Sequence, residues 1–196
     1  MTASMGLVVA LFALGGWFVL TWNRLVELRN RWRNAFAQID VQLKRRHDLV
    51  PNLVEATRAC LAHERGTLEA VVQARGLATQ ARAAAAADPA DARGLQRLDA
   101  AEAGLAGSLG RLMMLAEAYP ELKADHAMAE LTEELASTEN RIGFARQAFN
   151  DAVMTYNTAR ERLPANLVAA AGGFGQAALL ASTRSDVERA TPRVSF

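Results

Sequence analysis

Residues 6–43 read GLVVALFALGGWFVLTWNRLVELRNRWRNAFAQIDVQL, an apolar run followed by a charged run with helical patterning. No charged side chain precedes Arg24. A helix of about 19 residues starting at Ser4 would be roughly 28 Å long, which matches the hydrocarbon core of a bilayer. Residues 4–23 are therefore predicted to form a transmembrane anchor.

A cleaved signal peptide is the alternative for this apolar run. Signal peptides begin with a basic region and end at a small-residue cleavage site, and the run has neither feature. Trp17 and Trp22 suit the interfacial belt of a spanning helix, and Arg24 and Arg29 are predicted to lie near lipid. Residues 24–33 contain four arginines. The positive-inside rule then predicts a cytoplasmic domain on a single-pass anchor whose N-terminus is outside, with an extracytoplasmic domain as the alternative.

The rest of the chain repeats the spacing of amphipathic helices. Apolar residues recur every three or four positions, which is the pattern of a buried helical face. In the first such helix they are Leu25, Leu28, Trp32, Phe36, Ile39 and Leu43. Breaks are predicted at Asp48–Pro51, Asp88–Asp91 and Tyr119–Pro120. No segment alternates with the period of a strand, so we predict an all-α fold with a transmembrane helix followed by an antiparallel four-helix bundle over residues 24–164.

The sequence leaves two alternatives each for the Asp48–Pro51 connection and for the tail after residue 164. Asp48 can cap a new helix that carries Pro51 in its first turn, whereas proline inside a continuous helix costs about 3 kcal/mol. The sequence thus favours a chain reversal at Asp48–Pro51, with a kink in a longer helix as the alternative. Residues 165–196 are predicted to be a tail, apolar and then polar. The apolar part either rests on the lipid surface or packs loosely on the bundle.

Charge and cysteine content exclude several classes of protein. The net charge is +1, which is too balanced for a dedicated nucleic-acid-binding domain. Residues 24–46 hold seven bases and two acids, a net +5, so the remaining residues sum to −4. Cys60 is the only cysteine, which excludes a disulfide framework. Its apolar neighbours indicate a small core residue.

Catalytic and metal-binding patterns are absent from the sequence. His47, His63 and His126 do not form an H-E-x-x-H zinc motif, and no Gly-x-Ser-x-Gly turn is present. The Gly172–Gly175 segment lacks the Lys-Ser/Thr of a phosphate-binding loop. We therefore expect no enzymatic activity and no cofactor. A metal site built from scattered carboxylates is a less favoured alternative.

Several longer stretches resemble the LemA family. They include IDVQLKRRHDLVPNLV at Ile39–Val54, AEAYPELKA at Ala116–Ala124, FNDAV at Phe149–Val153 and PRVSF at Pro192–Phe196. The resemblance implies an antiparallel four-helix bundle behind an N-terminal membrane segment, and it implies no activity. Some relatives carry lipoprotein signals, which would place their domains outside the cytoplasm. The tail is richer in glycine and alanine than that of relatives.

A set of polar residues lies within the family-like stretches. Its members are Gln38, Gln42, Arg45, Arg46, Asn52, Glu134, Glu139, Asn140, Arg141, Asn150 and Asp151. One hypothesis is a network of ion pairs and hydrogen bonds that fixes the register of the helices. The other is a polar groove that binds a partner helix or peptide.

These observations favour a non-catalytic, membrane-anchored scaffold. Its expected partners are membrane lipid and other membrane proteins, and no nucleic acid. The alternative is a self-assembling membrane-remodelling protein, which requires a homo-oligomer. A metal-binding or enzymatic protein is the less favoured third class.

Overall fold

The computed structural model describes residues 2–58, 60–61 and 63–180. Within these residues there are helices and no strand, in the order α1 (Thr2–Arg58), α2 (Arg65–Ala87), α3 (Ala92–Glu117), α4 (Pro120–Lys123), α5 (His126–Glu161) and α6 (Ala165–Ala171). The four long helices form the bundle, in which α1 packs on α5 and α2, and α2 packs on α3. The predicted all-α class, with an apolar N-terminal helix ahead of a helical bundle, is confirmed.

Helix α1 carries the apolar segment into the bundle without a break over its 57 residues. By length and composition it is the one helix in the described residues that could cross a membrane, and none of the residues in its apolar window is buried in the protein. Leu7, Phe12 and Leu20 are 65–79% exposed, whereas Leu25 is 1% exposed. The buried face of α1 therefore begins at Leu25.

The predicted chain reversal at Asp48–Pro51 is wrong, because α1 continues through Pro51 to Arg58 and the chain turns between Arg58 and Arg65. Proline lacks the N–H that would donate to the carbonyl of His47, four residues earlier. Arg75 of α2 fills that role, since its Nε donates to the His47 carbonyl oxygen over 2.6 Å. A side chain from a neighbouring helix thus replaces the missing hydrogen bond of α1.

We expect Arg75→Ala to lower the free energy of unfolding by about 1.5–3 kcal/mol, because the His47 carbonyl loses a charged donor. In a Pro51→Ala background the restored N–H should make Arg75 largely redundant. Chemical denaturation of the four proteins of this double-mutant cycle measures the coupling. If Arg75→Ala lowers the free energy of unfolding equally in both backgrounds, Arg75 does not compensate for the N–H that Pro51 lacks.

The buried residues form two separate clusters along the bundle. The proximal core, next to the apolar segment, contains Leu25, Leu28, Trp32, Phe36, Ile39, Leu43, Ala85, Leu95, Leu98, Ile142, Phe149, Val153, Tyr156, Val168, Ala169, Phe174, Ala177 and Leu180. The distal core contains Leu49, Val50, Leu53, Val54, Leu61, Leu68, Val71, Ala78, Leu105, Leu109, Leu112, Ala116, Leu122, Met128 and Leu135. Each of the four long helices contributes residues to both cores. The boundary between the two cores therefore lies at a similar height along all four helices.

The described part of the tail, residues 165–180, packs on the bundle. The chain reverses after α6 at Gly172 and Gly173, where Gly173 has a φ of 64°. A Cβ on Gly172 would lie 2.6 Å from the rings of Phe174 and Trp22. Phe174 then packs edge-on against Trp22, with the ring centroids 5.2 Å apart. The predicted polar end of the tail, from residue 182 onward, lies outside the described residues.

Two asparagines of α5 hold the residues after α6 in an extended conformation, and we call residues 174–180 the extended segment. Asn157 donates through Nδ2 to the carbonyl of Ala177 over 2.9 Å and accepts from its N–H over 3.1 Å. Asn150 makes the same pair of bonds with Leu180, both at 3.1 Å. Seven residues of helix and three of extended chain each span about 10 Å, so the two spacings match. The segment therefore runs antiparallel to α5.

Candidate functional site

A buried ionic cluster occupies the level between the proximal and distal cores. It consists of Arg46 and His47 from α1 and Glu102 from α3, which are 2–4% exposed. The Arg46 guanidinium donates to both Glu102 and Glu139, and Glu139 lies on α5. His47 Nε2 lies 2.8 Å from Glu102 Oε1, and its Nδ1 lies 3.4 Å from the hydroxyl of Thr79 on α2. All four long helices thus meet at this cluster.

The electrostatics of the cluster favour an ionised Glu102. Burial acts to raise the pKa of this carboxyl, but the hydrogen bond from His47 and the charge of Arg46 outweigh it. The net effect holds the pKa of Glu102 below its ordinary value of 4.5. The carboxylate therefore accepts hydrogen bonds from His47 and Arg46.

Three further ion pairs join the helices around the cluster. Arg82 of α2 bonds to Asp40 of α1 at 2.5 Å, and Arg146 of α5 bonds to Asp99 of α3 at 2.9 Å. Arg45 pairs with Glu134 at the surface between α1 and α5. These pairs connect α1 with α2, α3 with α5, and α1 with α5.

The structure brings together some of the sequence-predicted polar residues and separates others. Arg45, Arg46, Glu134 and Glu139 form ion pairs between α1 and α5. Asn150 binds the extended segment instead. Gln42 is half-buried, and within the described residues its Oε1 has no hydrogen-bond partner. The exposed members are Gln38, Asn52, Asn140, Arg141 and Asp151. Whether these residues act as a partner groove stays a prediction.

Sequence reasoning missed Glu102, although a signal for it exists. Glu102 lies four residues after Leu98 and three before Leu105, so it occupies a position of the apolar face of α3. Arg146 likewise falls between Ile142 and Phe149 on α5. A charged residue at an apolar-face position can be buried only with a partner of opposite charge. This spacing therefore predicts buried ion pairs.

A glutamate beside a histidine has the composition of a general acid–base pair, but in this cluster both side chains are closed off from solvent. Glu102 and His47 are each at most 3% exposed, so no substrate can reach them. Among the residues that the structure describes, no three His, Cys, Asp or Glu side chains are grouped to hold a metal ion. The geometry supports a structural role for the cluster.

A polar groove of about 470 Å³ runs along the surface between α1 and α5. Its polar lining comes from Arg31, Asn34, Gln38, Asp151 and Thr155, and alanines form the floor. We call it the α1–α5 groove. Two of the predicted residues, Gln38 of α1 and Asp151 of α5, line it.

The residues predicted to lie near lipid divide into two groups. Trp17 and Trp22 are each 36% exposed, and Arg24 is exposed. Arg29 is half-buried, and its guanidinium carbon lies 5.0 Å above the ring of Phe174. Arg29 thus stacks on the extended segment, whereas Arg24 faces the surroundings of the protein.

Comparison with known proteins identifies a family and three relatives. The LemA family model matches residues 35–196. The magnetosome proteins MamQ 2 and MamQ 1 of Paramagnetospirillum magneticum are each 26% identical over 185 residues, which cover 87% of this chain and 68% of each relative. The magnetosome protein MamQ of Magnetospirillum gryphiswaldense is 34% identical over 74 residues, covering 38% of this chain and 27% of that protein.

Proposed function

The chain belongs to the LemA family, and from that premise we propose that it is a non-catalytic scaffold that holds partner proteins at a membrane. The observation that carries this proposal is the continuity of α1, which joins the apolar segment and the bundle in one helix. A domain held in this way keeps a fixed direction relative to the bilayer. That property suits a protein that presents a surface to other membrane proteins.

The α1–α5 groove is the proposed contact surface. Its lining combines amides, a hydroxyl and one charge of each sign, which can pair with a polar helix or peptide from a partner. Arg31 lies only nine residues after Trp22, or about 14 Å along the helix. The groove would therefore meet the membrane-proximal part of another anchored protein. The positive-inside rule supports a cytoplasmic position for the bundle.

Site-specific photocrosslinking in the native membrane tests this proposal. A photoreactive amino acid at Gln38 or at Asp151 should capture an integral membrane protein. The same amino acid at Gln96, an exposed glutamine of α3, is the matched control and should not capture it. Labelling of Cys60 with a membrane-impermeant maleimide in the same cells reports orientation, and we expect no label until the membrane is opened.

The possible products separate the alternatives. A crosslink between two copies of the chain would support a self-assembling membrane-remodelling protein in place of a scaffold for other proteins. Equal capture at Gln38 and Gln96, or capture of soluble proteins only, would contradict the proposed contact surface. Labelling of Cys60 in intact cells would place the bundle outside the cytoplasm.

A further inference from the structure

A second groove lies where the apolar segment of α1 enters the bundle. Its volume is about 510 Å³, and its walls come from Thr21 and Arg24 of α1 and from Thr158 and Arg162 at the end of α5. Leu25, which is 1% exposed, contributes to its floor. We call it the junction groove. It combines two positive charges, the hydroxyls of three threonines and an apolar base.

The two arginines of the junction groove are available to an external anion. Arg24 and Arg162 are exposed, and no ion pair to either is found in the part of the chain that the structure describes. The nearby acid Glu161 pairs with Arg160 at 3.2 Å. Two guanidinium groups that converge on one groove can bind a phosphate group through charge-assisted hydrogen bonds.

The surroundings of the groove are those of a membrane surface. Thr21 lies three residues after Phe18 and four after Trp17, so all three share one face of α1. That face is exposed and apolar above the groove. On the other side, Leu163 and Leu167 are 80% and 67% exposed at the turn into α6. An occupant would therefore meet positive charge at the groove and apolar surface directly beside it.

We propose that the junction groove binds one anionic phospholipid. Arg24 and Arg162 bind the phosphate of the headgroup, and the Thr21 and Thr158 hydroxyls donate to its oxygens. An acyl chain lies along the face of α1 that carries Phe18. An anionic lipid fits better than a zwitterionic one, because a choline group would bring a third positive charge to the site. The proposal depends on the membrane anchoring in the proposed function and not on any partner protein.

Lipid retention by the full-length protein in detergent micelles tests this inference. Native mass spectrometry after addition of phosphatidylglycerol should show one lipid retained per wild-type chain. The Arg24→Ala and Arg162→Ala variants should each bind it several-fold more weakly, and the double variant should bind it at least roughly tenfold more weakly. Arg111→Ala removes one exposed arginine from the distal half of α3 and should bind as the wild type does.

Three results would overturn the inference. They are equal retention by the double variant, equal retention of phosphatidylcholine by the wild type, and equal thermal stabilisation by inorganic phosphate at the same concentration. The last result would assign the groove to a soluble anion. Both arginines are exposed, so the variants should keep wild-type helicity and melting temperature without lipid. Loss of lipid retention with an intact Gln38 crosslink would separate this site from the scaffold function.

Discussion

Replacing Glu102 with leucine should lower the free energy of unfolding by about 3–5 kcal/mol, because Arg46 and His47 would stay buried without their shared carboxylate. The loss should be large for a single substitution, since all four long helices meet at this cluster. Denaturant titration of the full-length protein in micelles, followed by circular dichroism at a helix wavelength, measures the change. The variant should also expose the amides of α3 around residue 102 to faster hydrogen exchange.

Glu139→Gln provides the matched control for this prediction. Glu139 also binds Arg46, but its side chain is 49% exposed, so we expect a cost of about 1 kcal/mol or less. An apolar triple variant, Arg46→Met with His47→Leu and Glu102→Leu, should recover most of the stability because the cluster then contains no buried charge without a partner. The ionic account of the cluster fails if Glu102→Leu costs no more than Glu139→Gln.

The same carboxylate gives the wild type a defined pH dependence. The pKa of Glu102 is lower in the folded protein than its ordinary value of 4.5, so the folded state favours the ionised form. The resulting stability is fully present above that ordinary value and is lost as the pH falls through the folded pKa. Acid titration should therefore destabilise the wild type more steeply than Glu102→Leu.

Phe174→Ala is the second substitution for which we expect a large effect, about 3–5 kcal/mol. Phe174 is 4% exposed, packs on Trp22, and lies under the guanidinium of Arg29. Removing the ring leaves a cavity in the proximal core and frees the start of the extended segment. Denaturant titration measures the loss, and limited proteolysis should show new cleavage between residues 172 and 180.

Phe144→Ala separates this effect from the general consequence of losing a phenylalanine. Phe144 is 73% exposed on α5, so its removal should change stability by less than about 0.5 kcal/mol. If Phe174→Ala resembles Phe144→Ala in both measurements, the extended segment does not contribute to the proximal core.

Local patterning in the sequence predicts most of the bundle but not its long-range contacts. The spacing of Leu25, Leu28 and Trp32 identifies the buried face of α1 because that face depends only on helical periodicity. The course of the chain at Pro51 was mispredicted because the compensating donor, Arg75, lies on another helix. Sequence patterns within one helix cannot predict a hydrogen-bond donor that comes from another helix.

The candidate sites also differ in how far local sequence patterns predict them. Glu102 could be predicted as a buried ionic residue from its place on an apolar face. The asparagine bonds to Ala177 and Leu180 could not, since they depend on where the segment after α6 crosses α5. The junction groove likewise needs the register that places Arg162 beside Arg24, although 138 residues separate them in the chain.

With the apolar segment inserted as proposed, the uninterrupted α1 would couple the direction of the bundle to the tilt of that segment in the bilayer. Roughly 54 Å of helix follows Trp22, and transmembrane helices tilt by about 20° on average. Such a tilt moves the far end of α1 sideways by roughly 18 Å, a distance close to the width of two packed helices. A change of tilt, which is one response of a helix to a thinner or thicker membrane, would then change which neighbours the distal end of the bundle can reach.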